Sequence, residues 1–366
     1  MTAEHMPSAT PSAEQMRLIK RLTEAVAISG NEGAVRAIVR EQVEPYVDEL
    51  RVDTLGNLLI RCKGRSSNGV RVMLAAHMDE VGLMVTGAAD DGTLRCKPVG
   101  WVDAAQFLGK PVWIGRHRLP GVVGAPPTPG SAAGASANPA ETMQIRIDIG
   151  AMSKEEAAGK VRLGEQVVFA TELTRLGPMM RAKALDDRLG IAILIEIVQC
   201  PPAEIDLLAA FTVQEEIGLR GAEVAAHRME PDLAIAIDCA PARDLPTRDG
   251  EENTRYSTRL GGGPAVYVAD RLTICDPRIV RLLTETAEQQ GIPYQLRQPG
   301  EGGTDAGAIH LSRAGVPSVS VSVPTRYTHS PASYASIADW RATVRLLHAA
   351  VRRLGSSLLE DSPWQH

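Results

Sequence analysis

Five short stretches of the chain bring carboxylates or imidazoles to the ends of apolar runs. The central one, Leu207 to Ala222, reads LLAAFTVQEEIGLRGA: a β-type run closed by Glu215 and Glu216, with Gly218 and Gly221 just beyond. Inside a strand, adjacent side chains point to opposite faces. At a strand end, where glycines let the backbone turn, both acids can converge on one pocket. Two buried, adjacent carboxylates repel each other and raise a pKa, unless a metal cation holds one ionised and leaves the other free as a base. The opposing reading is a solvated Glu-Glu pair at a helix start, where the macrodipole favours acids.

The other stretches tilt the balance toward a metal. VMLAAHMD ends in His77 and Asp79, whose spacing by two puts both side chains on one side of an extended chain. Asp186 and Asp187 in KALDDRLG precede the apolar, helix-like GIAILIEIV, Asp238 closes LAIAIDCAP, and His329 follows the β-rich VSVSVPTRY just before a proline. Open α/β sheets bind their ligands outside the carboxyl ends of the strands. Two histidines, several carboxylates and no cysteine suit zinc, cobalt or manganese rather than a structural thiolate zinc. Any one of these residues alone is more often structural; the shared topology of the five carries the reading.

Composition sets the limits. The 366 residues exceed one small domain and leave room for a large core plus an inserted module. A formal net charge of −5 provides no basic surface for nucleic acid. Cys62, Cys96, Cys200, Cys239 and Cys275 are odd in number and form no CxxC pair, as expected of reduced, mostly buried thiols in a cytosolic protein. No apolar run reaches the length of a membrane span, and MTAEHMPSATPSAEQ lacks a basic-then-apolar leader. A soluble, cytoplasmic protein is expected.

The elements that must position these residues follow from periodicity. A helix is expected from Ala13 to about Ser29–Gly30, then a second carrying Ala34, Ile38, Val39 and Val43. VDELRVDTLGNLLIRC reads as a hairpin with Gly56 in its turn. After Val85, Gly, Pro and short alternating runs replace helical patterns until Ser153, as in a small all-β module. VDAAQFLGKPVWIG, RLPGVVG, QIRIDIG and GEQVVFA are its strand candidates. Within it, Ala125 to Pro139 reads as a low-complexity surface loop. SKEEAAGK is a short helix with a capping-box pattern. From Asp186 the α/β alternation resumes, with helices at 187–199, 219–228, 276–290, 304–312 and 337–354 and strands at 206–213, 232–238 and 318–323. The fold class is therefore α/β, an open mixed sheet flanked by helices and interrupted by a β module.

AAHMDEVGLMV, KALDDRLG, VQEEIGLRGA, AIDCAP, GGTDAGAIH and PTRYTHSP, in this order over nearly the whole chain, resemble the M42 family of metallo-aminopeptidases. The resemblance implies a zinc-exopeptidase type sheet formed by residues 1–85 and 177–366, with a β-barrel dimerisation domain inserted at 86–176. It implies two divalent cations, zinc or cobalt with manganese as an alternative. Asp186 would bridge them, His77 and Asp238 would bind one, and Glu216 and His329 the other. Glu215 would be the general base and proton shuttle, and Asp79 would accept the other imidazole N–H of His77. Short peptides as substrates, and dimers assembling into a hollow dodecamer, are further implications. Where the family commonly has a KP-type segment and a His, this chain has the loop GVVGAPPTPGSAAG.

Some assignments stay open on the sequence. Asp187 could replace Asp186 as the bridge, or be a supporting acid held by Arg188. Thr304 and Asp305 could belong to the site or cap the following helix. His310 reads as structural, and His5, His117, His227, His348 and His366 as surface or tail residues. Arg243, Arg255 and Arg326 could suit acidic substrate side chains or be solvated. The rival functions are a dinuclear deacylase or carboxypeptidase, and a non-catalytic peptide-binding assembly protein. Glycoside hydrolysis is disfavoured by the two histidines and by aromatics at only 4% of residues.

Overall fold

The computed structural model describes residues 6–65, 69–124, 145–246, 249–250, 258–355 and 357–360. The expected loop at 125–139 lies outside them. Four parallel strands form the middle of an 11-stranded sheet: β3 (Arg71–His77), β12 (Asp206–Thr212), β13 (Leu233–Pro241) and β16 (Ser318–Arg326). β12 lies beside β3, β3 beside β13 and β13 beside β16. Antiparallel strands extend both sides: β1 (Glu49–Val52) and β2 (Leu58–Cys62) beyond β12, and β17 (Ser333–Ser336), β11 (Met179–Ala182) and β10 (Thr174–Leu176) beyond β16. The sheet is mixed, as expected.

Alternation within the strands divides the core in two. Val72, Leu74 and Ala76 of β3 join the cluster built around the helix Leu185–Gln199. Met73 and Ala75 face the other way, toward Ala222, Ala225 and Ala226 of the helix Arg220–Met229. Helices thus cover both faces, and the central strands read as continuous apolar runs because neither face meets water.

The β module closes into a six-stranded antiparallel barrel. Its strands are β4 (Gly82–Ala88), β5 (Leu94–Val99), β6 (Pro111–Ile114), β7 (Leu119–Gly124), β8 (Arg146–Asp148) and β9 (Gln166–Phe169), in the order β4–β5–β8–β7–β6–β9, with β9 returning to β4. Phe107 stacks on Phe169 inside it, ring centroids 4.1 Å apart. Val26, Ile28 and Val168 form a separate apolar cluster that joins the N-terminal segment to the barrel.

Several local expectations are corrected. The first helix is Ala13–Glu24, five residues shorter than its pattern. Ala25–Ile28 leaves it to pair with the end of β3, where Glu80 N donates to Ala27 O and Ala27 N to the Glu80 carboxylate. Of 304–312 only Ala306–Ile309 is helical, and the start of VDAAQFLGKPVWIG is a 3-10 turn, Ala104–Phe107, instead of a strand. β5 had no counterpart among the strand candidates. All five cysteines are free thiols; Cys62, Cys239 and Cys275 are buried and Cys200 is exposed. Among the described residues no helix is long and apolar enough to cross a membrane.

Candidate metal centre

The four parallel strands end side by side, and every expected site residue except Asp186 lies at one of those ends. His77 closes β3, paired in register with Thr212 of β12, and Met78 N donates to Thr212 O at 2.8 Å. Three residues past Thr212 the chain reaches Glu215. Gln214 adopts a left-handed φ of 56° there, which costs a non-glycine residue about 1 kcal/mol. Asn57 spans this turn, accepting from Val213 N and donating to Gly221 O, both at 2.9 Å. Gln214 N is held by Glu32 at 3.1 Å. The directions of Glu215 and Glu216 are therefore set by side chains on other elements.

Asp186 and Asp187 stand at the start of the helix Leu185–Gln199 in non-helical conformations, joined by a cis peptide bond. The carboxylate of Asp186 reaches both imidazoles: Oδ1 lies 3.3 Å from His77 Nε2 and Oδ2 lies 3.5 Å from His329 Nε2. Asp238 Oδ1 is 3.8 Å and Glu215 Oε2 4.0 Å from the same His77 nitrogen. His329 Nε2 lies 3.2 Å from Glu216. His77, Asp186, Glu215, Glu216, Asp238 and His329 are thus gathered at one point.

Asp187 is turned differently. Its Oδ1 accepts from Gly190 N at 3.0 Å, an N-cap role, while its buried Oδ2 has no hydrogen-bond partner. Arg188 does not hold it. That guanidinium donates to the carbonyls of Leu22, Met78 and Asp79 and to Glu80. Asp79 stands where it was expected, beside the second imidazole nitrogen of His77: its Oδ1 is 3.4 Å from His77 Nδ1. Both Asp79 oxygens are engaged by Ser29 and by the backbone of Glu215 and Glu216.

The electrostatics are those of crowded, desolvated charges. Burial pushes the Glu215, Asp187 and Asp238 carboxyls well above the usual carboxylate range; Glu216 adds to this at Glu215, and Asp186 at Asp187 and Asp238. Burial would also raise Asp186, but hydrogen bonding to His329 and His77 outweighs it and holds that carboxyl below its ordinary value. At His329 burial works against charge, yet Glu216 and Asp186 together push it up to about 12. Protons held by so crowded a set are readily exchanged for a divalent cation.

The donor set fits such cations. The ligand-type atoms of His77, Asp187 and Asp238 lie within 4.8 Å of one another, and so do those of Asp186, Glu216 and His329. A third group adds Cys239 to Asp186 and Asp187. Burial keeps that thiol well above its ordinary pKa, and it donates to Leu185 O, so oxygen and imidazole nitrogen define the site. Donors of these types suit a divalent cation.

Other expectations resolve individually. Thr304 accepts from Ala306 N at 3.2 Å and so caps the short helix, whereas Asp305 accepts from Thr212 Oγ1 at 2.5 Å behind the site. His310 Nδ1 bonds to Ala306 O, a structural role. His117 and His227 are exposed, but His348 is buried. His5 and His366 lie outside the described residues, as does Arg255. Arg326 is committed to Asp244 through bonds of 2.6 and 2.9 Å, and Arg243 is likewise engaged. Sequence reasoning missed Ser29, Asn57, and the buried Lys183, which donates to both oxygens of Glu80 at 2.8 and 2.9 Å. Burial pulls its ammonium down to about 8. Glu80 directly follows HMD, so an acid that a strand end buries was the available signal.

Residues 56–346 match the family described as M42 glutamyl aminopeptidase. A lysyl aminopeptidase of Pyrococcus furiosus is 34% identical, over 92% of this chain and 96% of its own. A glutamyl aminopeptidase of Lactococcus lactis subsp. cremoris is 32% identical, over 94% and 97%. Among solved structures, aminopeptidase APDkam598 of the archaeon Desulfurococcus kamchatkensis superposes with a TM-score of 0.88 at 35% identity, over 95% of this chain and 97% of that one. The Pyrococcus horikoshii TET1 peptidase, which can assemble into a tetrahedron or a large octahedral shell, gives 0.79 at 32% identity, over 93% and 100%. With the family match spanning residues 56–346 and these relatives aligned over nearly the whole chain, the chain belongs to the M42 family of aminopeptidases.

Proposed function

We propose that the protein removes N-terminal residues from short peptides at a centre of two divalent cations, with Glu215 as general base. The observation that carries this reading is the position of Asp186, one carboxylate oxygen toward His77 and the other toward His329. His77 and Asp238 would hold one cation, Glu216 and His329 the other, and Asp186 both. A carboxylate oxygen of Asp187 is close enough to His77 and Asp238 to support the first. Zinc or cobalt suits these donors best, and manganese is compatible. The cations would supply Lewis acidity toward the peptide carbonyl and ease deprotonation of water.

The chain's own residues do the rest. Glu215 takes a proton from water, whose oxygen adds to the carbonyl carbon; as the C–N bond breaks, Glu215 returns that proton to the leaving amine. The surrounding carboxylates favour a substrate whose free α-ammonium group begins at the site, which distinguishes an aminopeptidase from an endopeptidase or a deacylase. Asp79 orients Glu215 and Glu216 through their backbones.

The barrel of β4 to β9 would form a dimerisation domain inserted in a catalytic unit; because β4 begins at Gly82 and β10 pairs in the large sheet, its bounds run from about Gly82 to Phe169 rather than over the expected 86–176. Dimers would assemble further, toward a dodecamer, as supported by the shells that the TET1 relative forms. The lysyl and glutamyl relatives match almost equally well, so overall identity does not select the released residue. A panel of aminoacyl p-nitroanilides and their N-acetylated counterparts, offered to metal-stripped protein with zinc, cobalt or manganese restored, tests the reading. Metal-dependent release from the free amines alone is expected; equal release from acetylated substrates would remove the aminopeptidase assignment.

A further inference from the structure

The two imidazoles of the centre are held in different ways. His77 is nearly inaccessible and sits in a parallel ladder at the end of β3. His329 lies beyond the end of β16 on a turn in which both Tyr327 and His329 adopt left-handed φ values, 58° and 57°, and its side chain is 32% exposed. No regular strand fixes that ring. Its Nδ1 makes one hydrogen bond, to the carbonyl oxygen of Trp101 at 2.8 Å. Trp101 belongs to the barrel, in the link between β5 and the 3-10 turn Ala104–Phe107.

The same link touches the neighbouring acid. Gly100 has φ +85°, and a Cβ there would come 2.9 Å from Val81 Cγ1 and 3.2 Å from Glu216 Cβ. Only glycine lets the backbone run so close to Glu216 in that conformation. Gly100, Trp101, Val102 and Asp103 form one wall of a cleft of about 460 Å³ whose other wall includes Glu216 and Ile217. The barrel thus meets the catalytic sheet at the two residues that share one ligand group with Asp186.

We infer that the Trp101 carbonyl is a positioning group for the His329 side of the metal centre, so that the inserted barrel completes one of the two cation sites. By accepting the Nδ1 proton it selects the tautomer whose Nε2 lone pair faces Asp186 and Glu216, and it fixes the ring plane, which no strand ladder sets here. At His77 the place beside Nδ1 is taken by Asp79 Oδ1, at 3.4 Å, and the barrel link makes no hydrogen bond to that ring among the described residues. The inference rests on the two-cation reading and adds to it an asymmetry: the barrel controls one ion and leaves the other alone.

The test alters that carbonyl without altering any side chain. Replacing Val102 by its α-hydroxy acid turns the Trp101–Val102 amide into an ester, whose carbonyl is a poorer acceptor. This also removes the Val102 N–H that bonds to Gly100 O at 3.1 Å. The control is the α-hydroxy analogue of Trp101, which weakens the Gly100 carbonyl in that same bond but leaves the Trp101 carbonyl an amide. Cobalt(II) is titrated calorimetrically into each metal-stripped, full-length protein. The Val102 ester is expected to weaken one of two cobalt affinities by about tenfold or more, with the other within about twofold, and the control to leave both within about twofold. Gly100→Ala is expected to weaken the same single ion. An unchanged pair of affinities in the Val102 ester, or an equal fall in both, would overturn the inference. Failure of the unmodified protein to bind cobalt would instead overturn the two-cation reading, and this inference with it.

Discussion

Asp79 accepts the backbone N–H groups of two consecutive residues, Glu215 at 3.0 Å through Oδ1 and Glu216 at 3.1 Å through Oδ2. One buried carboxylate on the β3 side thus sets the turn that carries Glu215 and Glu216 on the β12 side. Its Oδ2 also accepts from Ser29 Oγ at 2.6 Å. In Asp79→Asn one oxygen becomes an NH2 group facing a backbone donor, so a buried N–H loses its acceptor. The expected cost is about 1–3 kcal/mol of stability, with kcat reduced more than KM because the base is displaced. Urea denaturation and steady-state kinetics check both; an unchanged kcat would deny Asp79 its positioning role.

Glu215→Gln keeps the shape of the side chain and removes its ability to take a proton. Turnover should fall by roughly 10²–10⁴, while metal content, measured on the dialysed protein by atomic emission, stays at the wild-type level. Loss of metal together with activity would move Glu215 from base to ligand.

Arg188 is fully buried and ties the first helix, the end of β3 and Glu80 together through its bonds to Leu22 O, Met78 O, Asp79 O and the Glu80 carboxylate. Arg188→Met leaves those acceptors facing an apolar chain. A loss of about 3–5 kcal/mol is expected, read as a lower urea midpoint with the slope unchanged. A loss below about 1 kcal/mol would show that water replaces the guanidinium there.

His348 supplies a pH dependence remote from the metal centre. Burial, reinforced by Arg352 and Arg341, pulls its imidazole down to about 4, and Arg352 Nη1 lies 2.8 Å from its Nδ1. The folded state therefore favours the neutral ring, and the unfolded chain binds the proton more readily. Stability is complete above about pH 6.5 and is lost as pH falls toward about 4. His348→Gln should flatten that part of the stability profile, seen in urea midpoints across the window. An unaltered slope in the variant would assign it to other groups.

His348 also marks what the sequence conceals. It sits on the last long helix, where a histidine among arginines reads as a solvated face, and only tertiary packing shows that Ile337–Val351 is covered on several sides. The parallel strands and the five site segments were legible because a strand buried on both faces is a continuous apolar run, and a polar side chain ending such a run stands out. The β module was legible as a change of texture, but β5 was not, since LRCKPV mixes charges with a proline. The first helix was read too long because Ala25 and Val26 continue its apolar spacing while their backbone pairs elsewhere. Trp101 meets His329 through a backbone carbonyl, which no residue type encodes. Asp305 and Thr304 could not be separated by pattern, as both are good caps; only the contact with Thr212 distinguishes them.

The most direct check of the two-cation centre is anomalous diffraction from crystals of the cobalt-loaded protein. Two peaks are predicted, one bounded by His77 and Asp238, the other by Glu216 and His329, with Asp186 reaching both. A single peak, or peaks away from these five side chains, would contradict the account.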